Sequence, residues 1–435
     1  MKKNLDINVH HITRVEGHGN IIVNMRDGVL EKAHLNIVEP PRFFEAMLKG
    51  RSFTEAAIIT SRICGICSLG HQITSLKTTE AALGLEVSEQ TILLRKLLVN
   101  GATIQSNILH AYFLAVPDFL DAPSVFPLIA TNKDVVLRAL RMKRLANDIA
   151  DIVSGRAVHP ITPVPGGFTR IPSRDELLHL KERIVTEGLP DAVETVETMK
   201  ALADAIPQFE RETEYISLTH DDEYALYDGD ICSSDGGTFP VEDYLNVTNE
   251  FVVEHSTSKH ARNKREAYMV GALARWNNNY TRLTESARDA AETLGLKPQC
   301  YNPYMNTVAQ VIEVAHCMEE SICIIEELLG RGLKAEKPNQ IPTRYGRGIA
   351  ATEVPRGILF HDYTYDNRGQ IVAANCVIPT GQNLANVDAD MQKLVPEIVN
   401  KTKPEITHHL EMLVRAYDPC ISCSVHILDV EFKDS

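Results

Sequence analysis

No stretch of this 435-residue chain approaches the roughly 18 apolar residues that a membrane-spanning helix requires. The longest apolar runs, such as SICIIEELLG, are short and interrupted by charge. The opening MKKNLDINVHHITRVEGH has no apolar run suited to a secretory signal. Positive charge is in short supply too. Against 58 Asp and Glu stand 44 Lys and Arg, and the net charge of −14 argues against a nucleic-acid groove or an anionic membrane surface as partner. Repeats and low-complexity linkers are missing, so nothing marks a chain of joined modules. These absences lead us to expect a cytoplasmic protein with no transmembrane segment and no nucleic-acid partner, long enough for one large domain or two or three ordinary ones.

What is present is mostly helical patterning. Apolar residues recur at three- and four-residue intervals in FFEAMLKG, SEQTILLRKLLVNGATIQSNILHAYFL and NKDVVLRALRMKRLANDIADIVSG. The pattern returns in NKREAYMVGALARWNNNYTRLTESARDAAETLG, in NTVAQVIEVAHCMEESICIIEELLG, and near the end in DADMQKLVPEIVNK and EITHHLEMLVRAY. Such segments suit a large helical-bundle core. The first stretch instead alternates apolar and polar residues around an RDG turn, as a small antiparallel sheet does. PITPVPGGFTRIPS is a break; residues 212–253 and 343–379 read as irregular or β structure. The expectation is a mainly α fold with small peripheral β-sheets, and one continuous domain, because the motif residues come from both ends.

Nine cysteines are present, and four of them form two CxxC pairs: Cys64 with Cys67 in RICGICSLGH, and Cys420 with Cys423 in DPCISCSVH. A two-residue spacer lets both thiolates point at one ion. In a chain without secretory features, such pairs indicate metal or redox chemistry before structural disulfides. Cys232, Cys300, Cys317, Cys323 and Cys376 show no comparable pairing and read as small buried hydrophobes. The two pairs lie near opposite ends of the chain, whereas zinc ribbons separate theirs by about 15–20 residues. Closing so long a loop costs on the order of 5 kcal/mol, acceptable only where the intervening chain folds anyway. Four thiolates suit both zinc and iron–sulfur centres, so spacing leaves the metal open.

The surroundings resemble the large, catalytic subunit of nickel–iron hydrogenases. The upstream motif of that family appears as Arg62, Cys64, Gly65, Cys67 and His71, and the downstream one as Asp418, Pro419, Cys420, Cys423 and His426. TRVEGH, FFEAMLKGR, ATEVPRG and VIPT fall in the family's order, so the resemblance runs essentially end to end. It implies that all four cysteines bind nickel, that Cys67 and Cys423 also bridge to an iron carrying carbon monoxide and cyanide, and that the reaction is the reversible heterolytic cleavage of dihydrogen. Thiolate is a soft donor suited to nickel.

By the same resemblance Glu16 relays protons beside a terminal thiolate, and a buried carboxyl can have a pKa suited to that task. Arg356 lies over the metals, held by Asp118 and Asp418, while Pro355, Pro379 and Thr380 line the pocket around the cyanides. His71 donates to a bridging sulfur. A second ion, magnesium or another divalent metal, is implied near the C-terminus, with Glu45, His426 and the backbone carbonyl of Cys376 as ligands. Imidazole is not a preferred magnesium partner, so iron or zinc suits that site as well.

The resemblance also implies cleavage at His426–Ile427 once nickel is loaded, by a maturation endopeptidase acting after nickel chaperones. The domain would then span 1–426, and 427–435 would be a discarded extension. A non-catalytic complex I-like relative would lack the four cysteines, and a hydrogen-sensing regulatory hydrogenase would lack the tail. No further cysteine cluster is present to relay electrons, so an iron–sulfur small subunit is expected; further flavin or iron–sulfur subunits would pass electrons to NAD, NADP, a deazaflavin, ferredoxin or a disulfide reductase.

Overall fold

A computed structural model describes residues 4–426 of the chain. The expected N-terminal sheet is there. Strands β1 (Leu5–Val9), β2 (Gly19–Arg26) and β3 (Val29–Ile37) pair antiparallel in that order. Arg26 pairs with Val29, so Asp27-Gly28 is a two-residue turn with positive φ at both positions, the conformation this dipeptide favours. Ile21, Val23 and Met25 alternate inward along β2.

Two short helices follow, α1 (Phe44–Leu48) and α2 (Ala56–Thr60), then α3 (Ser68–Leu83) and α4 (Glu89–Ile108). Ser88 caps α4 by accepting the N–H of Thr91. Beyond α4 the ladder widens to a π-helical stretch over Leu109–Ala115. Pro117 follows immediately and has no N–H to return to the preceding turn. Against α4 pack α5 (Lys133–Ser154) and the 26-residue α7 (Asn306–Arg331), with α6 (Leu189–Ala201) on the far side of α7. Leu94, Leu97, Leu98 and Ile104 of α4 meet Leu145, Ile149, Val311 and Ile312 in one core cluster that also takes in Ile7, Ile421 and Val425 from the two ends. Each such side chain contributes about 1.5–3 kcal/mol by leaving water.

A three-stranded meander, β4 (Arg347–Val354), β5 (Gly357–Tyr365) and β6 (Ile371–Val377), leads into α8 (Pro379–Ile398), α9 (Lys403–Ala416) and the one-turn α10 (Ile421–Ser424). Val354 pairs with Gly357, which sets Pro355 and Arg356 at the tip of a tight hairpin. Gly357 has φ 134°, and a Cβ there would lie 2.5 Å from Val270. Only glycine permits that turn.

Three departures from the sequence reading have physical causes. Helix α3 lacked a recognisable stripe because it is buried nearly all round and rich in polar residues such as Gln72, Thr74, Ser75 and Thr78. Helix α8 starts at Pro379, well before DADMQKL. The NKREAYM…AAETLG segment is a short strand (Tyr268–Met269) and two helices (Ala272–Asn279 and Glu285–Leu294), not one run. Asn278 and Asn279 donate to Ser217 and Leu218 of a neighbouring strand, Glu214–Thr219, and the helix stops there. Residues 427–435, to which the extension was assigned, lie outside the described residues.

Candidate metal centre

The first CxxC pair occupies the link between α2 and α3, with Cys67 capping α3. The amides of Ile66 and Cys67 point at the Cys64 sulfur, at 3.3 and 3.4 Å. The second pair is set by the backbone. Glu16 and Cys420 form a parallel bridge, and the Ile421 N–H donates to the Glu16 carbonyl at 2.9 Å. Gly17 makes this approach possible: its φ is 87°, and a Cβ there would meet Ile421 at 2.7 Å. Arg42 joins the two pairs by donating to the carbonyls of Ile63 (2.5 Å) and Ser422 (3.3 Å).

The four sulfurs are buried and lie within 4.8 Å of one another. Cys64 Sγ is 3.4 Å from Cys420 Sγ, and Cys67 Sγ is 3.7 Å from Cys423 Sγ. Thiolates bound about 2.3 Å from an ion sit roughly 3.8 Å apart on a tetrahedron, so the donor set fits a thiolate-bound metal. The hydrogen bond from Cys67 brings the Cys64 thiol down to about 7 against burial, with help from the Arg356 charge. Cys67 is pushed well above the ordinary thiol value by its contact with Cys64 and by burial.

Around the sulfurs, Glu16 accepts from the Cys420 thiol at 3.1 Å on Oε2, from the Ser422 amide at 3.1 Å on the same oxygen, and from the Ser422 hydroxyl at 2.5 Å on Oε1. The Cys420 N–H donates to Thr380 Oγ1 at 2.9 Å, which places Pro379 and Thr380, at the start of α8, against the second pair. Arg356 is buried and donates to the Asp418 carbonyl (2.7 Å), to Asp418 Oδ1 (2.8 Å) and to Ser106 Oγ (3.4 Å). Burial opposes its charge, but Asp418 and the neighbouring thiols keep it firmly protonated. Asp418 has φ 49°, a strained value for a residue preceding proline, and Gln310 also binds its side chain at 3.1 Å. The Pro355 carbonyl is anchored by Arg275, which is buried between Glu313 and Glu353.

Two expected pairings differ. Asp118 does not hold Arg356. It binds Arg415 at 2.7 and 3.0 Å and Arg14 at 2.5 Å, while Asp418 alone among the two takes Arg356. The reason is position. Asp118 sits just beyond the π-helical stretch, on the side of the Asp418 turn where α9 ends. The His71 side chain pairs with His361, at 3.3 Å, and makes no hydrogen bond to a cysteine sulfur among the described residues. His361 in turn lies 2.6 Å from the Tyr363 hydroxyl, which donates to Ser75. Burial, with the charges of His426 and Arg42, brings His71 down to about 3, so this relay is neutral imidazole throughout. Gln310, His361 and Arg415 carried no sequence signal, because each is an isolated residue placed by tertiary contact; Arg14 lies inside TRVEGH, where only Glu16 was assigned a role.

At the end of the described chain, His426 Nδ1 is 2.8 Å from Glu45 Oε1, and its Nε2 is 2.5 Å from the Cys423 carbonyl. Neither His426 Nδ1 nor Glu45 Oε2 has a properly aligned hydrogen bond, although both are buried. An imidazole and a carboxylate that meet while each keeps a buried atom without an aligned partner fit a shared cation. Burial alone would raise the Glu45 carboxyl, but the charge and close contact of His426 bring it below the usual range. Cys376, also buried, feels the Glu45 charge, as a neighbour would.

Comparison with known proteins agrees with this geometry. The sequence model of the nickel-dependent hydrogenase family matches residues 42–133 and 208–426. Among curated relatives, sulfhydrogenase 1 subunit alpha of Pyrococcus furiosus is 35% identical over 425 residues, covering 98% of both chains. Sulfhydrogenase 2 subunit alpha of the same organism is 32% identical over 431 residues, covering 97% of this chain and 99% of the relative. The solved structure of an NAD+-reducing [NiFe]-hydrogenase in the H2-reduced state superposes with a TM-score of 0.88 at 27% identity, over 97% of this chain and 99% of that one. The chain belongs to the nickel-dependent hydrogenase family, as the large subunit that carries the dihydrogen-cleaving chemistry.

Proposed function

We propose that Cys64, Cys67, Cys420 and Cys423 hold a nickel–iron centre whose iron carries carbon monoxide and cyanide, with Cys67 and Cys423 bridging the two metals. When bound, that centre supplies the reversible heterolytic cleavage of dihydrogen. The single observation that carries the reading is the convergence of two CxxC pairs from opposite ends of the chain on one buried point, within 4.8 Å. A zinc staple would need only the sulfurs. Here a carboxylate touches one sulfur and a buried, locked guanidinium faces the site.

The protein's own groups then have distinct tasks. Glu16 takes the proton at Oε2, beside Cys420 Sγ, and Ser422 holds both oxygens in place while it does so. Arg356 would present a fixed positive charge to anionic ligands of that centre, and the Pro355, Pro379 and Thr380 segments would shape a pocket that excludes water. His71 orients the N-terminal turn of α3 beneath Cys67. Glu45, His426 and the Cys376 carbonyl hold a divalent ion, magnesium or a close substitute, that seals the C-terminal end. The functional domain is 1–426, released by an endopeptidase after nickel chaperones have acted.

Electrons leave through an iron–sulfur small subunit, because the remaining five cysteines form no metal-capable group among the described residues. Exposed Phe43, Met47, Ile58, Val158 and Ile161 lie on α1, α2 and a loop pinned to Ser61 by His159, next to the Cys64 pair. An apolar surface there suits that subunit. No helix among the described residues is long and apolar enough to cross a membrane. Together with the sulfhydrogenase and NAD+-reducing relatives, this supports a cytoplasmic assembly that passes electrons to a soluble carrier. Infrared spectra of the purified protein should show carbon monoxide and cyanide stretches, with nickel and iron near one each per chain. Zinc alone, without those bands, would sink the reading.

A further inference from the structure

Away from the cysteines, three donors from two segments converge on one point. Asp388 projects from α8, and His255 and His260 from the irregular segment ahead of the Tyr268–Met269 strand. His255 Nε2 lies 2.9 Å and His260 Nε2 3.2 Å from the same carboxylate oxygen, Asp388 Oδ2. The other oxygen, Oδ1, is occupied by the Leu35 amide at 2.8 Å. His260 and Asp388 are buried, and His255 is partly open to solvent. The Nδ1 of His260 finds no hydrogen-bond partner, so Nε2 makes the ring's polar contact. His34 of β3 stacks on His255 with ring centroids 4.1 Å apart and borders the same spot.

We propose that His255, His260 and Asp388 form a structural site for a divalent transition-metal ion of the zinc class, separate from the cysteine centre. Nitrogen and oxygen ligands at about 2.0–2.1 Å from a tetrahedral ion lie roughly 3.3 Å apart, close to the two separations seen. Two imidazoles and one carboxylate are a borderline donor set that favours zinc over magnesium or calcium. Two imidazoles directed at one oxygen, while the second oxygen is held by a backbone amide, leave the shared side of Oδ2 as the point where a cation is stabilised by all three. The partly exposed His255 side provides the path of entry, and water completes the coordination.

The site has a use in this fold. The segment carrying His255 and His260 also binds β3, through the Thr257 amide on the Ile37 carbonyl at 3.0 Å. It reaches the turn that carries Cys423 through the Ser258 hydroxyl on the Ser424 carbonyl at 2.8 Å. Asp388 lies about two turns along α8 from Thr380, roughly 12 Å. An ion at this point ties β3, the 255–260 segment and α8 together, and so fixes the wall against which α10 closes.

The test uses the purified holoenzyme and zinc as the probe. Zinc is added, loosely held ion is removed by dialysis, and metals are counted for the native chain, His260→Ala and His255→Gln. The native protein should retain one zinc equivalent more than either variant. Crystals should show an anomalous peak at the zinc edge between His255 Nε2, His260 Nε2 and Asp388 Oδ2. Should His260→Ala fail to fold, the partly exposed His255→Gln carries the comparison. Equal zinc in native and variant protein, or no peak at that position in zinc-soaked crystals, overturns the proposal. Nickel content is read in the same samples, so a failure of the cysteine centre is seen separately.

Discussion

Arg415 and Asp118 form a buried two-pronged ion pair, with Nε and Nη2 donating at 2.7 and 3.0 Å. Arg415 also donates to the Thr13 carbonyl at 3.0 Å, and its own carbonyl lies 2.7 Å from His110 Nε2. The pair therefore fastens the end of α9, just ahead of the Asp418 turn, to the segment that carries Glu16. Asp118→Ala would leave the buried Arg415 charge with only Glu411, 3.6 Å away, and remove the Arg14 contact. The expected cost is about 3–5 kcal/mol, read as a lower denaturant midpoint. Wild-type stability in that variant would show that the pair does not fasten α9.

Cys423→Ser should abolish both hydrogen uptake and evolution, because a hydroxyl cannot replace a soft thiolate as a nickel ligand, still less as the proposed bridge. Cys232 lies on the Asp230–Ser233 strand, outside both pairs. Its serine variant should keep most of its activity. Equal losses in the two would point to thiol-dependent folding instead.

Glu16→Gln preserves shape and the Ser422 contacts while removing the titratable proton. Nickel content should be unchanged. Proton–deuterium exchange with hydrogen gas should fall by about 10²–10⁴, the usual contribution of a positioned acid–base group. Undiminished exchange in a metal-loaded Glu16→Gln protein would take this carboxylate out of the proton path.

The pH dependence follows from the buried imidazoles. His71 is brought down to about 3, and His361 well below the ordinary histidine value, chiefly by burial. Unfolded histidines bind protons near pH 6.5, so between there and about pH 3 the unfolded state carries more protons than the native one. Stability is then lost as pH falls, by up to about 1.4 kcal/mol per pH unit for each group. His71→Phe should flatten the decline below pH 6.5 by about that slope, measured from unfolding midpoints. An unchanged acid dependence would mean that His71 is already protonated in the native state.

His426 is buried, with Nε2 held on the Cys423 carbonyl. The tail sequence ILDVEFKDS carries two aspartates, a glutamate and a lysine, which are costly to bring into a dry interior. Intact-mass measurement of active protein should therefore find a large subunit ending at His426, with the longer form accumulating when nickel is withheld. An active, nickel-loaded chain still ending at Ser435 would remove both the processing step and the ion inferred at His426.

Much of the site was legible because its donors sit in short contiguous motifs. The cysteine spacing, Glu16 in TRVEGH and Asp418 before Pro419 are local features; Glu16 meets the sulfurs directly, and Asp418 holds Arg356 beside them. The partner of Asp118 was not legible. Arg356 and Arg415 are both buried arginines near an aspartate, and only the turn of the chain at Asp418 decides which carboxylate meets which guanidinium. The His71–His361–Tyr363 relay and the His255–His260–Asp388 cluster were equally hidden, since each is completed only when two elements distant in sequence meet. In the fold, amphipathic helices such as α5 were visible, whereas α3 escaped because a helix buried on every side has no polar face to give it away.

The parallel bridge between Glu16 and Cys420 also imposes an order in time. Cys64 and Cys420 are 356 positions apart, and at about 5–20 residues per second a ribosome needs roughly 20 to 70 s to traverse that interval. During that time the first cysteine pair and the Glu16 strand exist without the residues that complete them. No metal can be caged by all four sulfurs on a nascent chain, so assembly of the centre must be a post-translational event. The partly built half-site meanwhile offers two thiols, Cys64 and Cys67, to whatever ion or oxidant reaches them first.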